Sequence, residues 1–114
     1  MEFTVNYNPG RGPAVIICPR RLDINNSDRL RKILDDLIKQ ACYQIVLDME
    51  GTKYMDSSGL GAIVSRIADL RAKSGDIRVA GTPPNITELF RLTHLNKIIH
   101  LFGAVPEARK SFTE

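Results

Sequence analysis

Short apolar, β-branched runs alternate with amphipathic stretches of helical period along nearly the whole chain. No other feature of the sequence constrains the fold as tightly. Ala14-Val15-Ile16-Ile17-Cys18, Gln44-Ile45-Val46-Leu47-Asp48 and Ile77-Arg78-Val79-Ala80 have strand length and suit a pleated, buried surface. Between the first two, Leu30, Ile33, Leu34, Leu37, Ile38 and Ala41 recur at helical spacing. Between the second and third, Leu60, Ile63, Val64, Ile67 and Leu70 do the same. Strands that alternate with such helices become parallel neighbours joined by right-handed crossovers. The pattern therefore predicts an α/β fold with a mainly parallel sheet.

The two ends complete the order. Segments 2–8 and 13–18 read as strands separated by Asn8-Pro9-Gly10-Arg11-Gly12-Pro13, a run of turn residues, so they pair as an antiparallel edge hairpin. Asn26 is placed to cap the first helix and Thr82 to cap a third, short one carrying Ile86, Leu89, Phe90 and Thr93. Ile98-Ile99-His100-Leu101 reads as a last strand, and Val105 to Phe112 as a terminal helix with Glu107 early and Arg109 and Lys110 late. The expected order is ββαβαβαβα, with four helices in one domain over residues 1–114.

Composition narrows the function. Hydrophobic residues are 43% and charged residues 25% of 114, ordinary for a globular domain, and no apolar run reaches a membrane span. The start, Met1-Glu2-Phe3-Thr4, has neither the basic nor the apolar region of a signal peptide. Cys18 and Cys42 lie in apolar, periodic segments and read as buried thiols of a cytoplasmic protein; with just His94 and His100 besides, no metal site is expected. The net charge of +3 comes from scattered residues, aromatics are 6% and tryptophan is absent, which argues against nucleic-acid binding. No GxxxxGK[ST] and no G-x-S-x-G is present, so neither a P-loop enzyme nor a serine hydrolase is indicated, and no catalytic residue or cofactor is assigned.

One stretch stands out: Tyr54-Met55-Asp56-Ser57-Ser58-Gly59-Leu60-Gly61-Ala62-Ile63, between a strand and an amphipathic helix. Asp and Ser are good capping residues, which is explanation enough for a helix start. The same place also suits a modification. A serine in the first helical turn lies beside free backbone N–H groups in a positive field, and a phosphate there adds about −1.5 to −2 charge. Helix-end geometry alone allows Ser57 or Ser58. Gly59 and Gly61 put no side chain beside them, which would let a partner approach, at a cost of roughly 1 kcal/mol each in helix propensity.

This stretch resembles the STAS domain of anti-sigma-factor antagonists. So do Ile45-Val46-Leu47-Asp48-Met49 before it, Leu22-Asp23 ahead of the first helix, and Leu89-Phe90-Arg91-Leu92-Thr93-His94-Leu95-Asn96-Lys97-Ile98-Ile99. The resemblance covers about residues 3–108. It implies a non-enzymatic switch that is monomeric when free. The unphosphorylated form binds an anti-sigma factor, which is itself a serine kinase, and so frees a sigma factor. Phosphorylation ends the interaction, and a PP2C-type phosphatase restores it. By the same match Ser57 is the phosphoacceptor with Ser58 second, and Asp23, Asp56, Ser57, Ser58, Gly59 and Gly61 form the partner-binding surface. Asp23 reads equally well as a plain helix-entry residue.

The chain departs from the family pattern at two places. Pro19-Arg20-Arg21 stands where a glycine-containing loop is usual, which makes a partner-facing edge more basic, and Thr52 stands where valine is frequent. Two other roles fit the same resemblance: the STAS subunit of a lipid-transport ABC system, and the scaffold of a large signalling assembly.

Overall fold

The computed structural model describes residues 2–113, so Met1 and Glu114, the ends of the expected 1–114 domain, lie outside the described residues. The main sheet has five strands: β1 (Thr4–Asn6), β2 (Ala14–Ile17), β4 (Gln44–Asp48), β6 (Asp76–Ala80) and β7 (Leu101–Phe102), in the spatial order β1-β2-β4-β6-β7. β1 pairs antiparallel with β2, and every other pair in this sheet is parallel. The expected mixed sheet with one antiparallel edge is what the chain forms. The turn between β1 and β2 is closed by Arg11 N–H on Asn8 C=O at 2.9 Å, with Gly10 and Gly12 at positive φ.

Helices cover the two faces unequally. One face carries α1 (Ser27–Lys39), α2 (Ser57–Val64), α3 (Ile67–Ala72) and α4 (Pro84–Leu92). There Ile16, Ile45, Leu47, Ile77 and Val79 from the strands meet Leu30, Leu34, Ile63, Leu70, Ile86 and Phe90 in the main core. The other face carries α5 (Val105–Ser111) alone, whose Ala108 packs on Val46 and Ala80. Leu60 and Ile63 belong to the core, in keeping with their places in the apolar stripe. Cys18 and Cys42 are free and buried; burial, with Asp48 nearby, pushes the Cys18 thiol pKa well up.

Several local expectations change. Two further strands, β3 (Arg21–Leu22) and β5 (Tyr54–Met55), pair parallel as a separate ribbon in what read as loops. Two residues are too few to show a period of two. The second expected helix is divided at Ser65–Arg66 into α2 and α3. Ser65 turns both its N–H and its Oγ onto Ala62 C=O, and Arg66 leaves helical geometry at φ −121°.

Asn26 occupies the N-cap position of α1 but caps nothing. Its Oδ1 accepts from Asp23 N–H at 2.9 Å and its Nδ2 donates to Arg21 C=O at 2.7 Å, so it ties the preceding turn instead. The cap position of α4 is Pro83, and Thr82 Oγ1 pairs with Thr87 Oγ1. The last strand lies later than expected. His94 at φ 62° ends α4, a 3₁₀ turn at Leu95–Lys97 follows, and Ile98 and Ile99 N–H both return to Leu95 C=O.

Candidate functional site

The Asp-Ser-Ser-Gly stretch is positioned by the ribbon. Lys53 and Tyr54 N–H both donate to Arg20 C=O, at 2.7 and 3.2 Å, and Asp56 N–H donates to Leu22 C=O at 3.3 Å. Beneath them the buried Thr52 Oγ1 donates to Pro19 C=O at 2.9 Å, crossing from one loop to the other. The two loops at the ends of β2 and β4 are thus laced together. The residue after β5 enters α2 at a fixed angle.

Asp56 is extended, at φ −111° and ψ −173°, and is the N-cap of α2. Its side chain accepts from Gly59 N–H at 3.1 Å, and its carbonyl accepts from Leu60 N–H at 3.1 Å. Ser57 follows as the first helical residue and is exposed; Ser58 is half-buried. Neither serine N–H has a hydrogen-bond acceptor among the described residues. These are the donors that a helix start leaves open. No charged residue occurs within α2; the charges nearest Ser57 are those of Asp56 at the cap and of the adjoining ribbon.

The two glycines differ. Gly59 is buried, and a Cβ there would lie 2.6 Å from Leu22 C=O and 2.8 Å from Met55 Cγ. Its lack of a side chain lets α2 sit directly on the ribbon. Gly61 is half-buried with the Arg31 guanidinium of α1 at 3.4 Å from the same hypothetical atom. The pairing of α1 with the α2–α3 junction is reinforced by Arg66, whose Nε and Nη2 donate to Asp35 at 2.6 and 3.1 Å. That contact holds the Asp35 carboxyl below the usual carboxylate range and raises Arg66.

Asp23 lies at the end of β3, just before α1. It is 8% exposed; its Oδ1 accepts from Asn25 N–H at 3.0 Å, and its carbonyl accepts from Asn26 and Ser27 N–H. Much of its hydrogen-bonding capacity is used within the helix-entry turn. The β3–β5 ribbon carries Asp23 and Asp56 at the ends of its two strands, so Asp23, Asp56, Ser57 and Ser58 lie along one rim. Sequence reasoning read Arg21 only as part of a more basic partner-facing edge and gave no role to Ile24, which follows Asp23. Arg21 lies over the Tyr54 ring at 4.3 Å, and Ile24 is 73% exposed. Neither has a spacing signal; they meet the site solely through the ribbon.

A family model described as the STAS domain matches residues 8–108. The chain belongs to the STAS domain family. Among STAS relatives, it is 30% identical over 103 residues to the anti-sigma F factor antagonist of Paenibacillus polymyxa, an alignment spanning 90% of this chain and 88% of that protein. Its fold matches an anti-sigma-factor antagonist (STAS) domain protein from Planctomyces limnophilus with a TM-score of 0.85 at 17% identity, over 98% of both chains. It also matches the anti-sigma factor antagonist SpoIIAA in its unphosphorylated form, with a TM-score of 0.73 at 24% identity, over 93% of this chain and 92% of that one. The phosphorylated form, from Bacillus, gives 0.72 at 24% identity, over 94% and 96%. Among the described residues no helix is long and apolar enough to cross a membrane, and no three His, Cys, Asp or Glu residues are grouped to hold a metal ion.

Proposed function

We propose that this STAS domain is an anti-sigma factor antagonist and that Ser57 carries its switch. In this reading the unphosphorylated chain binds an anti-sigma factor kinase through the rim formed by Asp23, Asp56, Ser57 and Ser58, and a sigma factor is released. The kinase phosphorylates Ser57 and binding ends; a PP2C-type phosphatase restores it. The chain is a substrate and a binding module in the cytoplasm, monomeric when free, and it catalyses nothing itself.

The observation that carries the reading is the setting of Ser57. It is exposed at the first position of α2, beside two open N–H groups, in a helix with no charged side chain of its own. Ser58 is half-buried, which favours Ser57 as the acceptor. A phosphate there is tolerated by the free protein, because the helix start offers donors and a positive field. It is not tolerated in the interface, where about two negative charges would lose water and meet any acidic group of the partner opposite. A coupling of about 3 kcal/mol lowers affinity more than a hundredfold. The names of the curated relatives support the partner class. The two forms of SpoIIAA match this fold equally well, which supports a switch acting at the surface without refolding.

The test is intact mass and site mapping after incubation with a cognate anti-sigma kinase and ATP. One phosphate on Ser57, with loss of kinase binding, is expected. Ser57→Ala should bind constitutively and Ser57→Asp should not bind. Full-rate phosphorylation of Ser57→Ala would move the acceptor to Ser58. Absence of both phosphate and binding would overturn the reading.

A further inference from the structure

We infer that the β3–β5 ribbon is a docking surface for an acidic segment of the partner, with Arg21 as its anchor. The ribbon and its flanks expose three cations, Arg20, Arg21 and Lys53. The acids nearby are committed elsewhere. Asp23 is buried in the turn before α1, Asp56 caps α2, and Glu50 lines a different depression together with Arg11 and Arg109. The surface left to a visitor is therefore positive.

Arg21 is held in place. Its guanidinium lies 4.3 Å from the centre of the Tyr54 ring, and its Nε is 3.4 Å from Asp23 Oδ2, yet its side chain remains 57% exposed. Two contacts fix the fork while leaving donors free, so little entropy is lost when a carboxylate arrives. Beside it opens a depression of about 330 Å³ lined by Arg21, Asp23, Asn25 and Asn26. Ile24 at 73% and Tyr54 at 43% exposure add apolar area on the same stretch. Tyrosine, arginine and an exposed aliphatic side chain are the composition of a protein interface core. Three cations with one stacking ring, already covered by Arg21, make a poor nucleic-acid track.

This inference rests on the reading that the partner is an anti-sigma kinase, and it adds the chemistry by which that partner is recognised. The experiment titrates the full chain, unphosphorylated, against that kinase at low and high salt. Arg21→Glu and Lys53→Glu are compared with Lys110→Glu on α5, on the opposite face of the sheet. Affinity should fall at least about tenfold for Arg21→Glu, less for Lys53→Glu and not for Lys110→Glu, and it should weaken with salt. Arg21→Ala, which leaves the ribbon backbone untouched, guards against misfolding and should give an intermediate loss. If the kinase binds and Ser57 switches it while Arg21→Glu binds as well as the parent, this inference fails and the reading of Ser57 stands. If the kinase does not bind at all, both fail. Binding to anionic vesicles instead of the kinase would also overturn it.

Discussion

The carboxylate of Asp56 accepts the N–H of Gly59 at 3.1 Å, which makes an acidic side chain the structural start of the helix that presents Ser57. Replacing Asp56 with Ala should therefore lower stability by about 1 kcal/mol through the lost cap. Chemical denaturation reads the loss directly. Asp56→Asn and Asp56→Ser, which keep an acceptor, should recover most of it. If all three variants unfolded at the parental midpoint, the cap would be dispensable.

Gly59 and Gly61 should respond oppositely to the same change. Gly59→Ala drives a methyl against Leu22 C=O, where the atom met is backbone, and should cost about 1–3 kcal/mol by overpacking. Gly61→Ala meets the far end of the Arg31 side chain, which can move, and should stabilise α2 by up to about 1 kcal/mol. Thermal unfolding of the two single variants tests the contrast. A lower melting temperature for both, or for neither, would contradict the geometry.

Thr52→Val should destabilise although the two side chains have nearly the same shape. Oγ1 of Thr52 is a donor to Pro19 C=O, and both residues are buried. The substitution leaves that carbonyl without its partner, at a cost of about 1–3 kcal/mol. Denaturant titration supplies the number. A neutral result would mean that water or a shifted loop satisfies Pro19 instead.

The Asp35–Arg66 contact predicts an acid-sensitive contribution. The folded-state pKa of Asp35 is lowered, first by the hydrogen bond from Arg66. A lowered carboxylate pKa stabilises above the unfolded value and is lost as pH falls through the folded value. Asp35 is 44% exposed at its side chain, so solvent screening keeps the contribution at about 1 kcal/mol or less. Urea unfolding of the parent and Asp35→Asn should differ at neutral pH and converge at about pH 2, below the ordinary carboxylate range. A difference that stayed constant with pH would assign it to packing.

The sequence by itself determined the fold class and the place of Ser57. Those follow from period and punctuation: apolar runs of strand length, apolar stripes at helical spacing, and an Asp-Ser-Ser start ahead of one stripe. They are local signals, and the parallel sheet with its antiparallel edge is their direct outcome. The tertiary structure alone decided what surrounds the serine. Arg21 and Tyr54 are 33 residues apart and meet because two-residue strands pair into a ribbon, a length at which no periodicity exists to be read. Gly59 looked like an opening for a partner, yet it is filled from within by Leu22. Asn26 had the chemistry of a cap, but stronger local demands turned it back onto Asp23 and Arg21. In each case a side chain chose among several feasible partners, and the choice depended on a backbone brought near from a distant part of the chain.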